Sequence, residues 1–222
     1  MKHSPEADAG SLLDLTVREL LERLASAAPT PGGGAAAALA AAMGAALVQM
    51  TANLTIGRPR LAEVQEQAQA IQAQAARLGA RLEELADADA EAYARVTAAY
   101  ALARDTEEQR VARSAAIQQA LGGAAVVPLQ VVQVCAEVLD VCEAAAPVLN
   151  QSVISDVMVG ALLAHAGLEA AAVNVEVNLA GITSRESADR LATSLAQARA
   201  ETAERLAEVL RAGESRIRRQ QV

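Results

Sequence analysis

The run Ala35–Leu54 of this 222-residue chain carries no charge and is apolar almost all the way round a helix. A helix of that composition must be enclosed by other elements, because it has no polar face to turn to water. Elsewhere apolar residues recur with helical spacing, and only Val126–Val134 resembles a strand, where Pro128 argues against one. We therefore predict an all-α fold, a single-domain bundle of long helices around the central alanine-rich helix.

Capping and helix-breaking residues divide the chain into seven predicted helices. Thr16 with Glu19 and Thr106 with Gln109 have the spacing of a capping box. The predicted helices are 12–27, 33–54, 59–103 with a bend at Gly79, 106–122, 128–146 with Pro128 in its first turn, 155–180, and a last one capped by Thr183 and Glu186 that ends in the basic tail 216–219. The polar residues 1–10 lack the apolar segment of a signal peptide and are expected to form a disordered arm, so the helical domain is 11–222.

Composition supports a helical fold and suggests how it is stabilised. Hydrophobic residues make up 53% of the chain but aromatic residues only 1%, so the core consists of Leu, Val, Ile, Met and Ala. Alanine is the best helix former and a poor strand former. Because small side chains bury little area each, stability must come from long helix seams, and a second subunit could add to it.

Charge and cysteine usage narrow the functional classes. A net charge of -8 disfavours nucleic acid, which needs clustered Lys and Arg. The run Ala35–Leu54 is long enough to span a membrane, but Gln49 and Asn53 interrupt it and alanine is nearly neutral for insertion, so we expect a buried helix in a cytoplasmic protein without membrane contact. Cys135 and Cys142 lie two helical turns apart, too far to bridge, and are predicted to be buried free thiols.

The glycine turn Pro29–Gly34 precedes the uncharged helix and is the first candidate site. Its glycines let the backbone approach a ligand, and the helix N-terminus favours an anion. No Lys-Ser or Lys-Thr follows, so it is not a nucleotide P-loop. A tight structural turn that lets two helices touch is an equal alternative.

Two further segments place polar groups at helix ends. Asn53, Thr55 and Arg58 offer an amide, a hydroxyl and a cation in a short loop, or they cap the helix and solvate an Arg. In the segment from Asn150, Ser155 is a plausible N-cap and Asp156 would lie in the first turn, where a purely capping role is the simpler interpretation.

The helix after Asp156 separates polar groups onto two faces. At about 100° per residue, one face carries Asp156, Gly160, Gly167, Asn174 and Asn178. His165 falls on the opposite face and is expected at the surface or an interface. Asp156 and Asn174 are about 27 Å apart along a helix. Both can serve one site only if the ligand is elongated or a second chain completes the pocket.

Carboxylates in the third predicted helix are another candidate. Asp87, Asp89 and Glu91 lie close together, and Asp89 and Tyr93 share a face. They could perform acid–base chemistry or form a solvated face. No metal site is expected, because there is no His-x-x-x-His and the cysteines lack nearby His residues.

Four spaced motifs together resemble one protein family. They are Pro29-Thr30-Pro31-Gly32-Gly33-Gly34, Asn53-Leu54-Thr55 with Gly57, Asn150 with Ser155-Asp156-Val157, and Asn174-Val175 with Asn178-Leu179. Their order resembles that of the formiminotransferase-cyclodeaminase C-terminal domain family, over about Leu12 to Arg211. Ala35 stands where many members carry Ser, and Arg58 where Lys is common.

The resemblance implies an all-α homodimer that acts on a tetrahydrofolate one-carbon derivative without metal or further cofactor. By motif, it makes Asp156 the catalytic candidate and suggests several substrate-binding residues. These are Thr30, Gly32, Gly33, Gly34, Asn53, Thr55 and Ser155, with Arg58, Asp89, Asn150, Asn174 and Asn178 as further candidates.

The first activity implied is formimidoyltetrahydrofolate cyclodeaminase, which converts 5-formimino-tetrahydrofolate to 5,10-methenyl-tetrahydrofolate and ammonia. The alternatives are methenyltetrahydrofolate cyclohydrolase and a non-catalytic folate-binding homologue. Both reactions need a proton acceptor for the nucleophile and a donor for the leaving nitrogen. Our hypothesis is that Asp156 stabilises the cationic carbon or shuttles the proton, while the glycine turn holds a folate carbonyl or carboxylate.

Overall fold

The computed structural model describes residues 10–219, so the predicted N-terminal arm lies almost entirely outside the described residues. The fold is all-α, as predicted, and the described residues contain no strand. The helices are α1 (Val17–Leu24), α2 (Gly33–Asn53), α3 (Gln65–Tyr100), α4 (Glu107–Ala145), α5 (Ile154–Leu179), α6 (Arg185–Arg199) and α7 (Thr202–Arg219). Short 3-10 turns cover Leu12–Asp14, Pro59–Val64 and Gln151–Val153.

Four long helices form the body of the bundle. Helix α2 packs against α3 and α5, and α4 closes the ring by packing against both of them. Helices α6 and α7 cover the side of α4 and α5 away from α2. The core is made of alanine, leucine and valine from all four long helices, with α2 contributing mainly alanine.

Two glycines bring α2 and α5 into backbone contact. A Cβ at Gly44 would lie 2.6 Å from the carbonyl oxygen of Gly160, and a Cβ at Gly160 would lie 2.8 Å from that of Gly44. Two helix turns further on, a Cβ at Gly167 would lie 2.7 Å from the carbonyl oxygen of Ala37. The two helices therefore run antiparallel at the closest spacing that backbones allow, and this fixes which of their ends lie together.

The largest difference from the sequence prediction is in α4. The predicted break between 122 and 128 is wrong, because one helix runs through Gly122, Gly123 and Pro128. Residues on both sides of the proline are buried in the core, and this packing outweighs the local cost of a proline inside a helix. The carbonyl of Ala124, which the proline cannot bond, accepts a hydrogen bond from another helix.

Other helix ends also differ from prediction. The first predicted helix is a 3-10 turn followed by the short α1, and the last is divided at Glu201, whose φ of 66° lies in the left-handed region. The N-cap of α6 is Ser184, while Thr183 donates from its backbone to Gln118. Helix α5 begins one residue before Ser155, and Gly79 lies within the continuous α3.

Burial determines the protonation state of the two cysteine thiols. Cys135 and Cys142 are buried and unpaired, as predicted. Burial raises the pKa of both thiols to about 12, so neither is a thiolate at neutral pH.

The outer surface of α2 and α5 is apolar and uncovered in the single chain. Met43 is 57% exposed and Val177 is 68% exposed. We call the following set the apolar face: Ala36, Ala40, Met43, Leu47, Met50 and Leu54 from α2, with Val159, Leu162, Ala166, Ala170, Val173 and Val177 from α5. The members recur at alternating spacings of mainly three and four residues, the pattern of a helix-packing seam.

By length and composition, α2, α4 and the stretch Gln151–Leu179 could each span a membrane.

We predict that Gly44→Ala destabilises the protein by about 1–3 kcal/mol, because the added methyl group forces the backbones of α2 and α5 apart. Chemical denaturation measures the change.

Gly122→Ala is the matched control. Gly122 lies within α4 of the same bundle, and a Cβ at this position would meet nothing within 4 Å. The substitution should stabilise by about 0.5–1 kcal/mol. Equal effects of the two substitutions would refute the close contact as the determinant of packing.

Candidate functional site at the glycine turn

The structure divides the predicted site residues into two groups at opposite ends of α2 and α5. The glycine-turn group contains Thr30, Gly32, Gly33, Gly34, Asp89, Asn174 and Asn178. The far group contains Asn53, Thr55, Arg58, Asn150, Ser155 and Asp156. Because α2 has 21 residues, the groups are roughly 30 Å apart in one chain.

The first group lines a cavity of about 310 Å³, which we call the glycine-turn cavity. The turn before α2 forms one wall, and α3, α4 and α5 form the others. Residues without functional side chains complete the lining: Pro29, Ala92, Val96, Ala124 and Val177. Tyr93 also lines it and supplies the only aromatic ring among the lining residues. Its position follows from its spacing of four residues from Asp89.

Asp89 occupies the N-terminus of α2. Its Oδ2 accepts a hydrogen bond from the backbone N–H of Ala35 at 3.1 Å. A Cβ at Gly34 would overlap the carboxylate, so only glycine admits Asp89 there. The helix end thus has an anion, as its dipole favours, and that anion is the protein's own side chain. The hypothesis from the sequence that this turn holds a folate carbonyl or carboxylate stays a prediction, and a carboxylate there would lie beside that of Asp89.

Burial changes the acidity of Asp89. Desolvation raises the pKa of its carboxyl group above the ordinary value, and the hydrogen bond from Ala35 offsets this only in part. A single backbone donor holds Oδ2, the other oxygen has no hydrogen-bond partner within residues 10–219, and Asp89 lines the cavity. A carboxylate with a raised pKa is suited to accepting a proton near neutral pH.

Two amides contribute further hydrogen-bond acceptors. Asn174 Nδ2 donates to the carbonyl of Ala170 at 2.9 Å, and Asn178 Nδ2 donates to the carbonyls of Asn174 at 2.9 Å and Ala124 at 3.0 Å. The oxygen of each amide has no protein donor within residues 10–219. The residues that line the cavity include one carboxylate and no Lys, Arg or His, so the site favours a cation or a ligand rich in N–H groups.

In the far group, Thr55 and Asn150 connect α2 to the loop before α5. Thr55 is fully buried, and its hydroxyl donates to the carbonyl of Thr51 at 2.8 Å and accepts from the N–H of Asn150 at 2.9 Å. Asn150 Nδ2 donates to the carbonyl of Leu54. Arg216 holds the same loop through the carbonyls of Ala146 and Leu149. These contacts give Thr55 and Asn150 a structural role in the connection, and their contact with a substrate stays a prediction.

The remaining far residues face outward. Asn53, Arg58 and Ser155 are exposed, and Asp156 is partly exposed in the first turn of α5. Asn53 and Ser155 border the end of the apolar face that is farther from the glycine turn. They can join the glycine-turn cavity only if another chain supplies them.

His165 does not line the cavity. It is partly buried in α5, and its Nδ1 is buried without a hydrogen-bond partner in the described part of the chain. Across residues 10–219, no group of three or more His, Cys, Asp or Glu side chains could hold a metal ion.

Comparison with known proteins gives consistent results. The sequence profile of the family described as Formiminotransferase-cyclodeaminase matches residues 16–197. A methenyltetrahydrofolate cyclohydrolase from Methylorubrum extorquens is 45% identical over 174 residues, which cover 78% of this chain and 84% of that protein. A formimidoyltransferase-cyclodeaminase from Rattus norvegicus is 33% identical over 173 residues, and the match spans only 32% of its length.

A solved structure has the same fold. The crystal structure of formiminotetrahydrofolate cyclodeaminase from Thermotoga maritima has a TM-score of 0.83 and 28% sequence identity, and the match covers 93% of this chain and 100% of that one.

We predict that Asp89→Asn raises or preserves thermal stability at pH 7. The folded protein binds the Asp89 proton more tightly than the unfolded chain does, so ionisation above the unfolded pKa disfavours the folded state. Asparagine removes that penalty and can still accept from Ala35.

The stability difference between the variant and the wild type should shrink as pH falls towards about 4, where the unfolded carboxyl group is protonated. Thermal unfolding over this pH range measures it. If the variant instead becomes progressively less stable than the wild type as pH rises, the raised pKa of Asp89 is contradicted.

Proposed function

The chain belongs to the formiminotransferase-cyclodeaminase family of folate one-carbon enzymes, and on this basis we propose that it hydrolyses 5,10-methenyl-tetrahydrofolate. Sequence motifs alone put the cyclodeaminase first and the cyclohydrolase second. The 45% identity to a methenyltetrahydrofolate cyclohydrolase, over 84% of that protein, supports the reverse order. The cyclodeaminase relatives are more distant, and the chain spans about a third of the length of the mammalian ones.

The charge of the glycine-turn cavity carries the proposal. In 5,10-methenyl-tetrahydrofolate, a positive charge is delocalised over N5, the bridging carbon and N10. A cavity with one carboxylate, two amide oxygens and no cationic lining residue is complementary to that centre. The ring of Tyr93, 47% exposed at the mouth, offers a flat surface to an aromatic part of the substrate.

Asp89 is the proton acceptor in the proposed reaction. A water molecule adds its oxygen to the bridging carbon and gives a proton to the free oxygen of the Asp89 carboxylate. The carbon–N5 bond then breaks, its electron pair stays on N5, and N5 takes up a proton. Loss of the hydroxyl proton leaves a formyl group on N10, so the net reaction consumes water and releases one proton. Ala35 holds the carboxylate in position through its N–H.

Ala35 is compatible with an enzyme. The residue is 1% exposed and belongs to the core, whereas its contact with Asp89 comes from its backbone N–H, which any residue except proline supplies. The alternative, a folate-binding homologue without activity, predicts binding of the substrate without turnover.

The apolar face supports a homodimer. It extends roughly 30 Å along two adjacent helices without a charged residue, and a surface of this kind marks an interaction site. We propose that a second copy covers it, which gives a water-soluble, cytoplasmic dimer with no membrane or nucleic-acid partner.

The dimer also offers a role for Asp156. Val177 belongs both to the apolar face and to the glycine-turn cavity, and Ser155 lies near the other end of the face. A two-fold axis lying in the face and running across the helices would set Asp156 of one copy beside the glycine-turn cavity of the other. In this arrangement Asp156 assists Asp89 from the second chain, and the candidates Asn53 and Ser155 contact the substrate there.

We predict that Asp89→Asn lowers kcat for 5,10-methenyl-tetrahydrofolate by about 10²–10⁴-fold, because the proton acceptor is lost. Loss of the methenyl absorbance measures turnover. Asp87→Asn is the control: Asp87 binds Ser11 and the N–H of Leu12, outside the cavity, and its variant should retain activity. Wild-type protein that releases ammonia from 5-formimino-tetrahydrofolate but leaves the methenyl compound intact would instead identify a cyclodeaminase.

We also predict that mixed variants complement each other. Light scattering should detect a dimer at micromolar concentration, and Asp89→Asn and Asp156→Asn homodimers should each be impaired. After subunit exchange, mixed dimers hold one intact site, so about a quarter of wild-type activity should return. A monomer, or an Asp156→Asn variant with normal turnover, would contradict the shared site.

A further inference from the structure

Pro128 leaves the backbone carbonyl of Ala124, at the wall of the cavity, without a hydrogen-bond donor from its own helix. In a regular helix, the N–H of residue 128 would donate to the carbonyl of Ala124, but proline has no N–H. Pro128 is buried and is not among the residues that line the cavity, whereas Ala124 is. A buried carbonyl without a donor is costly, so another group must satisfy it.

Asn178 supplies that donor from α5. One Nδ2 proton bonds the carbonyl of Ala124 at 3.0 Å, and the other bonds the carbonyl of Asn174 at 2.9 Å. Both amide protons are therefore used, and the amide cannot be turned over without losing both hydrogen bonds. Its Oδ1 is left as the one free polar atom of the side chain, in the lining of the cavity.

We propose that Pro128 is a positioning residue and Asn178 a substrate-binding residue: the carbonyl freed by Pro128 locks the Asn178 amide, so that its oxygen accepts a hydrogen bond from an N–H of the substrate's reduced pteridine ring. The inference rests on the proposed function for its ligand, but the lock itself is a property of the protein alone. A locked acceptor admits N–H groups and rejects a ring that presents only acceptors at that position.

Asn174 provides an internal comparison. It lines the same cavity and bonds its own helix through Ala170, but it makes no bond to α4. Its contribution to stability should therefore be independent of Pro128.

The lock is tested in the ligand-free protein by thermal unfolding of Asn178→Ala, Pro128→Ala and the double variant. Asn178→Ala should lower Tm by about 3–8 °C, because the Ala124 carbonyl loses its donor. In the Pro128→Ala background, the N–H of residue 128 donates to the Ala124 carbonyl. The Tm loss caused by Asn178→Ala should therefore be less than half of its value in the presence of Pro128. Asn174→Ala should lower Tm by the same amount in the wild-type and Pro128→Ala backgrounds. Equal losses for Asn178→Ala with and without Pro128 would overturn the lock.

A second variant tests the lock without changing Pro128. Asn178→Asp cannot donate when ionised, but its protonated form can donate one hydrogen bond. Its Tm deficit relative to the wild type should shrink as pH falls through the carboxyl pKa. A deficit that does not change with pH would contradict the donor role.

The substrate role is tested by steady-state kinetics with 5,10-methenyl-tetrahydrofolate. Asn178→Leu should raise KM about tenfold with kcat within about threefold. Pro128→Ala should raise KM about threefold, although Pro128 does not line the cavity, because the amide is then free to turn. Wild-type KM values in both variants would overturn the substrate role. If wild-type protein has no turnover, the proposed function fails, while the unfolding experiment still decides the lock.

Discussion

The contact between Gly44 of α2 and Gly160 of α5 determines how the candidate residues of these two helices lie relative to one another. Because backbone meets backbone there, the two helices have one antiparallel register, and any larger side chain at either position would separate them. That register brings Asn174 and Asn178 to the N-terminus of α2 and leaves Asp156 at the other end. The same close packing turns the remaining apolar surface of both helices outward.

The electrostatics of the site follow from this placement. A helix N-terminus attracts an anion, and the absence of a side chain at Gly34 lets Asp89 reach it from α3. With the dipole already engaged by a protein carboxylate, the cavity favours positive charge in a ligand. Burial keeps the pKa of Asp89 raised, which suits a group that must take a proton from water and return it.

Much of the fold could be predicted from the sequence, because the uncharged helix, the capping boxes and the glycine turn are local signals. The continuity of α4 could not, because the burial that outweighs Pro128 comes from distant helices. The four motifs correctly indicated the family but did not separate residues that line the cavity from connectors such as Thr55. Asp89 was one of three similar carboxylates in sequence, and only the packing of α3 against the glycine turn distinguishes it.

The central claim is that the one-carbon bridge of the substrate reacts beside Asp89 in the glycine-turn cavity. A crystal structure of the protein with 5-formyl-tetrahydrofolate, a stable analogue of the reacting folate, tests it most directly. The account predicts that the carbon attached to N5 lies about 3–3.5 Å from the oxygen of a water held by the Asp89 carboxylate, with the pteridine ring next to Asn178. An analogue bound elsewhere, with the glycine-turn cavity empty, would contradict it.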